Sequence, residues 1–278
     1  MKKILAVITF FFLISQTYAE EPSLPDRQAP EKEESSIFEL SGEVRVKQFL
    51  INDEPDQIKL DYRGNDDHAD EEIGLVANAA VCKYFHIKAY PYFWVSRENQ
   101  ISRVGLDAEA KISAFFLGDE LNERFRIGYG HHSWHNADAK FKGVGGKSKD
   151  WLFAEIDFLK LKGPGFLRGD EWQLKFQLKP KLFVNNREPS AIKELYSREE
   201  SCAFAALELP IDFTYDNRAE LHLKPFWMFS EGSDRYGITA ELDVKIYKGI
   251  WVFADAGYTR AGTSDRKELG LGLMLRFK

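Results

Sequence analysis

The chain has 278 residues, with 44 acidic and 38 basic side chains and a formal net charge of -6 at pH 7. The charges are mixed along the sequence and form no basic patch, which excludes nucleic acid as a partner. Its length and its 44% hydrophobic residues are enough for one large folded domain.

The N-terminal segment has the pattern of an export signal. A charged start, an apolar run over 4–14 and a small residue before the expected cleavage point predict a signal peptide at 1–19. Residues 20–36 are rich in Glu, Pro and Ser, and we expect a disordered leader there. One domain is then predicted for 37–278, in which no stretch approaches the roughly 20 apolar residues of a spanning helix.

From residue 38 onward, polar and apolar residues alternate with a period of two. The run 238–246, Ile-Thr-Ala-Glu-Leu-Asp-Val-Lys-Ile, is an example without error. This period predicts β-strands with one apolar face, and the whole chain is therefore expected to be all-β with about 12 strands. In chain order the predicted strands are 38–50, 74–84, 86–96, 105–115, 123–135, 150–162, 171–184, 202–216, 218–230, 235–247, 250–262 and 267–278.

The connections between these strands alternate between shorter turns and mostly longer polar loops. An even strand count puts the shorter turns on the side of both chain termini, which is typical of the periplasmic end of an outer-membrane barrel, with the longer loops extracellular. We therefore expect a single antiparallel transmembrane β-barrel in the cell outer membrane. The structural alternative is a soluble barrel or sandwich whose apolar face points inward.

The final strand resembles the closing strand of outer-membrane proteins. The barrel assembly machinery reads an aromatic residue at or near the C-terminus of such strands. Here that residue is Phe277, although Lys278 follows it. The resemblance implies that this machinery is a partner.

Two further features lie in or near the loops. Residues 53–72 are dense in Asp and Glu, which are suited to calcium or magnesium, but no spacing matches a recognised metal loop. A solvated acidic loop that binds divalent ions loosely near lipopolysaccharide is the alternative. Cys82 and Cys202 fall on distant strands, so we expect free thiols rather than a disulfide.

The predicted fifth strand carries the candidate chemistry. Alternation puts His131, Ser133 and His135 on the apolar face that is expected to meet lipid. His131 and Ser133, two residues apart, are close enough for the imidazole to take the hydroxyl proton. A third group must orient the imidazole. By the same parity Asp150 faces lipid beside His131. We therefore expect Asp150 to orient the imidazole, and His135 is the alternative.

The stretch 128–133, Gly-Tyr-Gly-His-His-Ser, resembles the outer-membrane phospholipase A and lipid A deacylase barrels. Those families carry a His-x-Ser pair on the lipid-facing side of a strand near the outer rim. Trp134 and His135 replace the Asn-Gly that usually follows, and 149–161 lacks the asparagine that orients the phospholipase histidine. The tail 131–138 also resembles the His-x-Ser-Ser-His-Leu-Gly-Asp signature of an uncharacterised outer-membrane family. The phospholipase likeness implies lipid hydrolysis and calcium as a cofactor.

Two functions remain open from the sequence. The first is hydrolysis of an acyl ester of outer-leaflet phospholipid or lipid A, with Ser133 as nucleophile, His131 as base and Asp150 or His135 as orienter. The second is a non-catalytic barrel, either a narrow pore for small polar solutes or a structural or surface-interaction protein. In that case the same residues are ordinary interfacial side chains.

Overall fold

The structure is a computed structural model that describes residues 38–52, 70–81, 84–95, 101–113, 124–136, 147–165, 170–187, 203–230, 234–261 and 264–277. The predicted signal peptide and leader, most of the acidic segment and both cysteines lie outside these ranges. Within them, no helix is long and apolar enough to cross a membrane.

In the described ranges, thirteen strands form one antiparallel sheet, and most of them begin and end within a few residues of the predicted bounds. The strands are β1 (Phe38–Asn52), β2 (Glu71–Val81), β3 (Phe85–Val95), β4 (Ile101–Ser113), β5 (Phe125–Asn136), β6 (Lys147–Pro164), β7 (Glu171–Arg187), β8 (Ala203–Glu208), β9 (Ile211–Tyr215), β10 (Ala219–Ser230), β11 (Arg235–Tyr247), β12 (Ile250–Ala261) and β13 (Ser264–Phe277).

Pairing of the first strand with the last closes the sheet into a barrel. β1 and β13 run antiparallel, from Gly42 opposite Phe277 to Asn52 opposite Glu268. A closed sheet has no free edge, so its backbone donors and acceptors are paired from strand to strand. The prediction of a single closed antiparallel barrel is confirmed.

The prediction of one strand over 202–216 is wrong, because the structure has two strands there, β8 and β9. β8 and β9 lie end to end between β7 and β10, so the ring has twelve strand positions. Pro210 lies at the break and has no N–H to give to the ladder. The hydrogen bonding continues around it, since Leu209 N–H donates to the Pro225 carbonyl at 2.9 Å and Gln177 N–H donates to the Pro210 carbonyl at 2.8 Å.

The two ends of the barrel differ. The start of β1 and the end of β13 share one end, called here the terminus end, and the opposite end is the loop end. At the terminus end the tight turn between β11 and β12 uses Gly249, whose positive φ of 70° favours glycine. The longest connections, 53–70 and 188–202, belong to the loop end.

The outer wall of the barrel is apolar. Leu152, Leu242 and Leu273 are 50%, 45% and 59% exposed, and many other large hydrophobic side chains around the ring are also exposed. Ile127 and Tyr129 belong to this outer set. The apolar faces therefore point away from the lumen, the opposite of a water-soluble barrel or sandwich.

The lumen is charged, and its charges are paired. Arg126 lies 2.6 Å from Glu155 and 2.7 Å from Asp157, and Lys179 lies 2.7 Å from Glu109. Pairing of this kind offsets the desolvation of buried charges. Side chains of both signs are therefore present in the lumen.

One glycine in the wall allows an aromatic ring to pack beside the candidate site. Gly130 lies opposite Trp151 on β6, and both face the lumen, where Trp151 is buried. A Cβ atom at position 130 would overlap the Trp151 ring. Trp151 is therefore packed directly against the backbone that carries His131.

We expect Gly130→Ala to lower the free energy of unfolding by about 1–3 kcal/mol, because the added methyl group overpacks this contact. Urea unfolding in detergent, followed by tryptophan fluorescence, measures the change. Gly257→Ala is the matched control, since a Cβ there would meet its nearest neighbour, the Glu268 Cβ, at an ordinary 3.5 Å. The control should stay within about 0.5 kcal/mol of the parent, and equal losses in the two variants would contradict the packing explanation.

Candidate active site

The pairing of β5 with β6 brings His131 and Asp150 together. Gly130 is opposite Trp151, and the next pair along is His131 opposite Asp150. Because Gly130 and Trp151 face the lumen, the alternation puts His131 and Asp150 on the outer wall. Asp150 lies near the loop end of β6, and His131 lies in the middle of β5.

Three side chains form a continuous chain of contacts on this wall. His131 Nδ1 lies 2.7 Å from Asp150 Oδ1, and His131 Nε2 lies 3.0 Å from Ser133 Oγ. With the imidazole proton on Nδ1, His131 donates to the carboxylate, and the Ser133 hydroxyl donates to Nε2. This order of serine, histidine and carboxylate is that of a hydrolytic triad, which is recognised by geometry rather than by position in the sequence.

Two further groups hold the Asp150 carboxylate. The Tyr129 hydroxyl donates to Oδ1 at 2.5 Å, and the Asn185 amide donates to Oδ2 at 2.7 Å. Hydrogen bonds to a charged acceptor are stronger than those between neutral groups, so the two bonds hold the Asp150 carboxylate in one orientation. The carboxylate is therefore oriented before it meets the imidazole.

A β-bulge puts Asn185 within reach. Asp150 pairs with Asn185, but the next residue, Trp151, pairs with Phe183, so Val184 is an extra residue on β7. The bulge puts the Asn185 side chain on the outer wall. Without it, regular alternation after the exposed Val184 would have turned Asn185 toward the lumen. Sequence reasoning missed Asn185 because the predicted strand ended at residue 184, and the bulge, which no glycine marks, also changes the parity at this point.

The alternative orienter, His135, lies opposite Val104 in the pairing of β4 with β5. Its side chain belongs to the part of the chain that the structure does not describe, as does Asp138. The role of His135 stays a prediction. The described triad is partly open, with the side chains of His131 and Asp150 31% and 15% exposed.

The residues described around Ser133 do not fit a calcium ion. Calcium takes six to eight oxygen ligands, whereas the one carboxylate next to His131 is already held by three side chains. Among the described residues, the group of His and carboxylate side chains spaced to hold a metal is Glu220, His222 and Asp243, at the terminus end. Calcium therefore has no step in the mechanism proposed below.

The lumen side of the same wall carries a second histidine. His132 contacts Asp107 and lines a lumen cavity of about 490 Å³. Basic side chains such as Lys88 and Lys179 line the cavity together with acidic ones such as Glu155. This cavity thus lies behind the candidate site, on the other side of the sheet.

No protein-family model and no curated protein matches the sequence. Solved structures with a similar fold include the KdgM porin, at 11% identity and a TM-score of 0.47 over 86% of this chain and 99% of the porin. Outer membrane phospholipase A from Escherichia coli shows 12% identity and a TM-score of 0.45, over 84% of this chain and 92% of the enzyme. An outer membrane channel from Pseudomonas putida F1 shows 12% identity and a TM-score of 0.41, over 91% and 100%. Similarity at this level assigns no activity, and the barrel architecture rests on the strand pairing of this chain.

Proposed function

We propose that this chain is an integral outer-membrane barrel that hydrolyses an acyl ester of a membrane lipid. The observation that carries the proposal is the chain of contacts from Asp150 through His131 to Ser133 on the outer wall. A hydroxyl that donates to an oriented imidazole is the arrangement required of an activated serine nucleophile.

Membrane placement is supported by the distribution of apolar and charged side chains. An exterior of exposed Leu, Ile, Val and Phe side chains is costly in water and favourable in hydrocarbon. Closure through β1 and β13 satisfies the backbone, as hydrocarbon requires. The predicted signal peptide supports export.

In the proposed reaction, Ser133 Oγ attacks the carbonyl carbon of the lipid ester while His131 Nε2 takes its proton. Asp150 stabilises the imidazolium that results. The tetrahedral intermediate collapses, the bond from the carbonyl carbon to the alkoxy oxygen breaks, and that oxygen takes the proton from His131. An acyl-serine and a lysolipid alcohol are formed.

Water completes the cycle. His131 removes a proton from a water molecule, the resulting hydroxide attacks the acyl-serine, and the proton returns to Ser133 Oγ as the ester bond breaks. The products are a free fatty acid and the original enzyme. The substrate class follows from the side of the wall, since an ester group at the lipid interface meets Ser133 directly and a solute in the lumen does not.

Membrane placement is tested by comparing the cost of an arginine substitution at two positions along one strand. Leu242 is on the outer wall near the middle of β11, and Leu242→Arg should lower the free energy of unfolding in phospholipid vesicles by about 2–4 kcal/mol. Ile246 faces the same way near the terminus end, and Ile246→Arg should cost only about 0–1 kcal/mol. Chemical denaturation of the vesicle-folded protein measures both. An equal and small effect at the two positions would count against a bilayer around this wall.

The nucleophile is tested by labelling the folded protein with a fluorophosphonate. The parent should be labelled and should release fatty acid from phospholipid micelles, and Ser133→Ala should do neither, because the attacking oxygen is missing. Ser148 is directly opposite Ser133 on β6, so Ser148→Ala is the matched control and should behave as the parent. Fatty acid release by Ser133→Ala at the parent rate would reject the proposal.

The orienting groups are tested by kinetics. Asp150→Asn should lower kcat by about 10⁴, as expected when the histidine loses its tautomer control. Asn185→Leu removes one hydrogen bond to Asp150 and should lower kcat by up to about 100-fold, with KM unchanged because Asn185 orients Asp150 rather than the substrate. Val184→Ala, at the exposed neighbouring residue, should change neither constant. A purely structural role for Asn185 would instead reduce the amount of folded protein and leave kcat per folded molecule intact.

The lumen cavity favours one other function, a narrow pore for small polar solutes. A pore would produce discrete conductance steps in planar bilayers, and Ser133→Ala would leave these steps unchanged. Conductance without any labelling of Ser133 would make the pore the better proposal.

A further inference from the structure

A group of ionisable side chains in the lumen lies at the terminus end, far from Ser133 along the strands. Glu220 and His222 are on β10, and Asp243 is on β11 opposite Glu220. One ligand atom from each of the three residues lies within 4.8 Å of those of the other two. We call this group the luminal cluster.

Contacts to residues outside the luminal cluster use one polar atom of each of its three members. His222 Nδ1 lies 2.8 Å from Asp212 Oδ1. The Arg276 guanidinium donates to Glu220 Oε1 at 2.8 Å and to Asp243 Oδ2 at 2.6 Å. The other polar atoms are His222 Nε2 and Glu220 Oε2, which contact each other at 3.5 Å, and Asp243 Oδ1.

Asp243 provides a second, independent observation that points to a bound cation. The residue is 1% exposed, and its Oδ1 atom is buried without a hydrogen-bond partner. Leaving a carboxylate oxygen buried and unpaired is expensive, and such atoms are rare in native proteins. A protonated His222 would satisfy Glu220 and Asp212 but would still leave this oxygen alone.

The local charge balance also favours a cation. Arg276 contacts Glu43, Glu220 and Asp243, and Arg45 contacts Glu43 and Glu241. With Asp212, five carboxylates meet these two guanidinium groups, and Lys88 is close enough to Glu241 to interact with it. The set therefore carries two negative charges when His222 is neutral, and a divalent cation would balance them.

We propose that the luminal cluster binds one divalent transition-metal ion of the zinc class, with His222 Nε2, Glu220 Oε2 and Asp243 Oδ1 as ligands. Imidazole nitrogen selects zinc and its neighbours over calcium and magnesium, which prefer oxygen alone. Asp212 holds the other ring nitrogen, and a carboxylate in this position is a common partner of metal-binding histidines, fixing the tautomer that leaves Nε2 free. The proposal is independent of the proposed hydrolysis, because the two sites are at opposite ends and on opposite sides of the wall.

The test uses the untagged full barrel, folded in detergent and treated with EDTA, and then titrated with Zn²⁺ in a calorimeter. One ion should bind per chain, and Co²⁺ at the same site should give visible absorption bands that Zn²⁺ displaces. His222→Gln should abolish both signals. Asp212→Asn should weaken binding by about 10- to 100-fold, as expected for loss of the group that orients a metal-binding histidine.

His132→Gln is the matched control, because His132 also pairs with a carboxylate, Asp107, but is not part of a three-ligand group among the residues that the structure describes. This variant should bind Zn²⁺ as the parent does. Circular dichroism and heat-dependent gel mobility confirm that each variant is folded, and Asp212→Asn, the milder change, serves if His222→Gln does not fold. The proposal is wrong if the parent takes up no Zn²⁺ or if folded variants at positions 212 and 222 both bind it as tightly as the parent.

Discussion

The antiparallel pairing of β1 with β13 is the constraint on which the rest of the structure depends. Once the ring is closed, every strand has two neighbours, and each side chain can point only outward or inward. The alternation of the sequence then fixes the composition of both surfaces, an apolar wall outside and a charged lumen inside. A strand that shifted its pairing by one residue would reverse both surfaces along its length.

The same rule explains how far the site could be predicted from sequence. His131, Ser133 and Asp150 follow from parity along regular strands, and the structure brings these three side chains together. Asn185 could not be found this way, because the predicted strand ended at residue 184 and a single extra residue in β7 changes the parity there. The break at Pro210 could not be predicted either, because the alternation of the sequence continues without interruption through 207–214.

The luminal cluster was beyond sequence reasoning for a different reason. Its members come from β10 and β11, with Asp212 on β9 and Arg276 on β13. Parity predicts that all of them face inward, but it does not say which luminal charges meet across the barrel. Those contacts depend on strand stagger and on the lengths of side chains such as Arg276, which contacts Glu43, Glu220 and Asp243 at once.

His131 and His132 are adjacent in the sequence, and each contacts a carboxylate, yet their side chains lie on opposite sides of the barrel wall. His131 lies on the apolar outer wall and His132 lines the lumen cavity, so only the thickness of one sheet separates the two imidazoles. A molecule in the lumen cavity can contact His132, whereas His131 can be contacted only from outside the barrel. The barrel wall thus separates two neighbouring imidazoles, and the outer one is hydrogen-bonded to a serine.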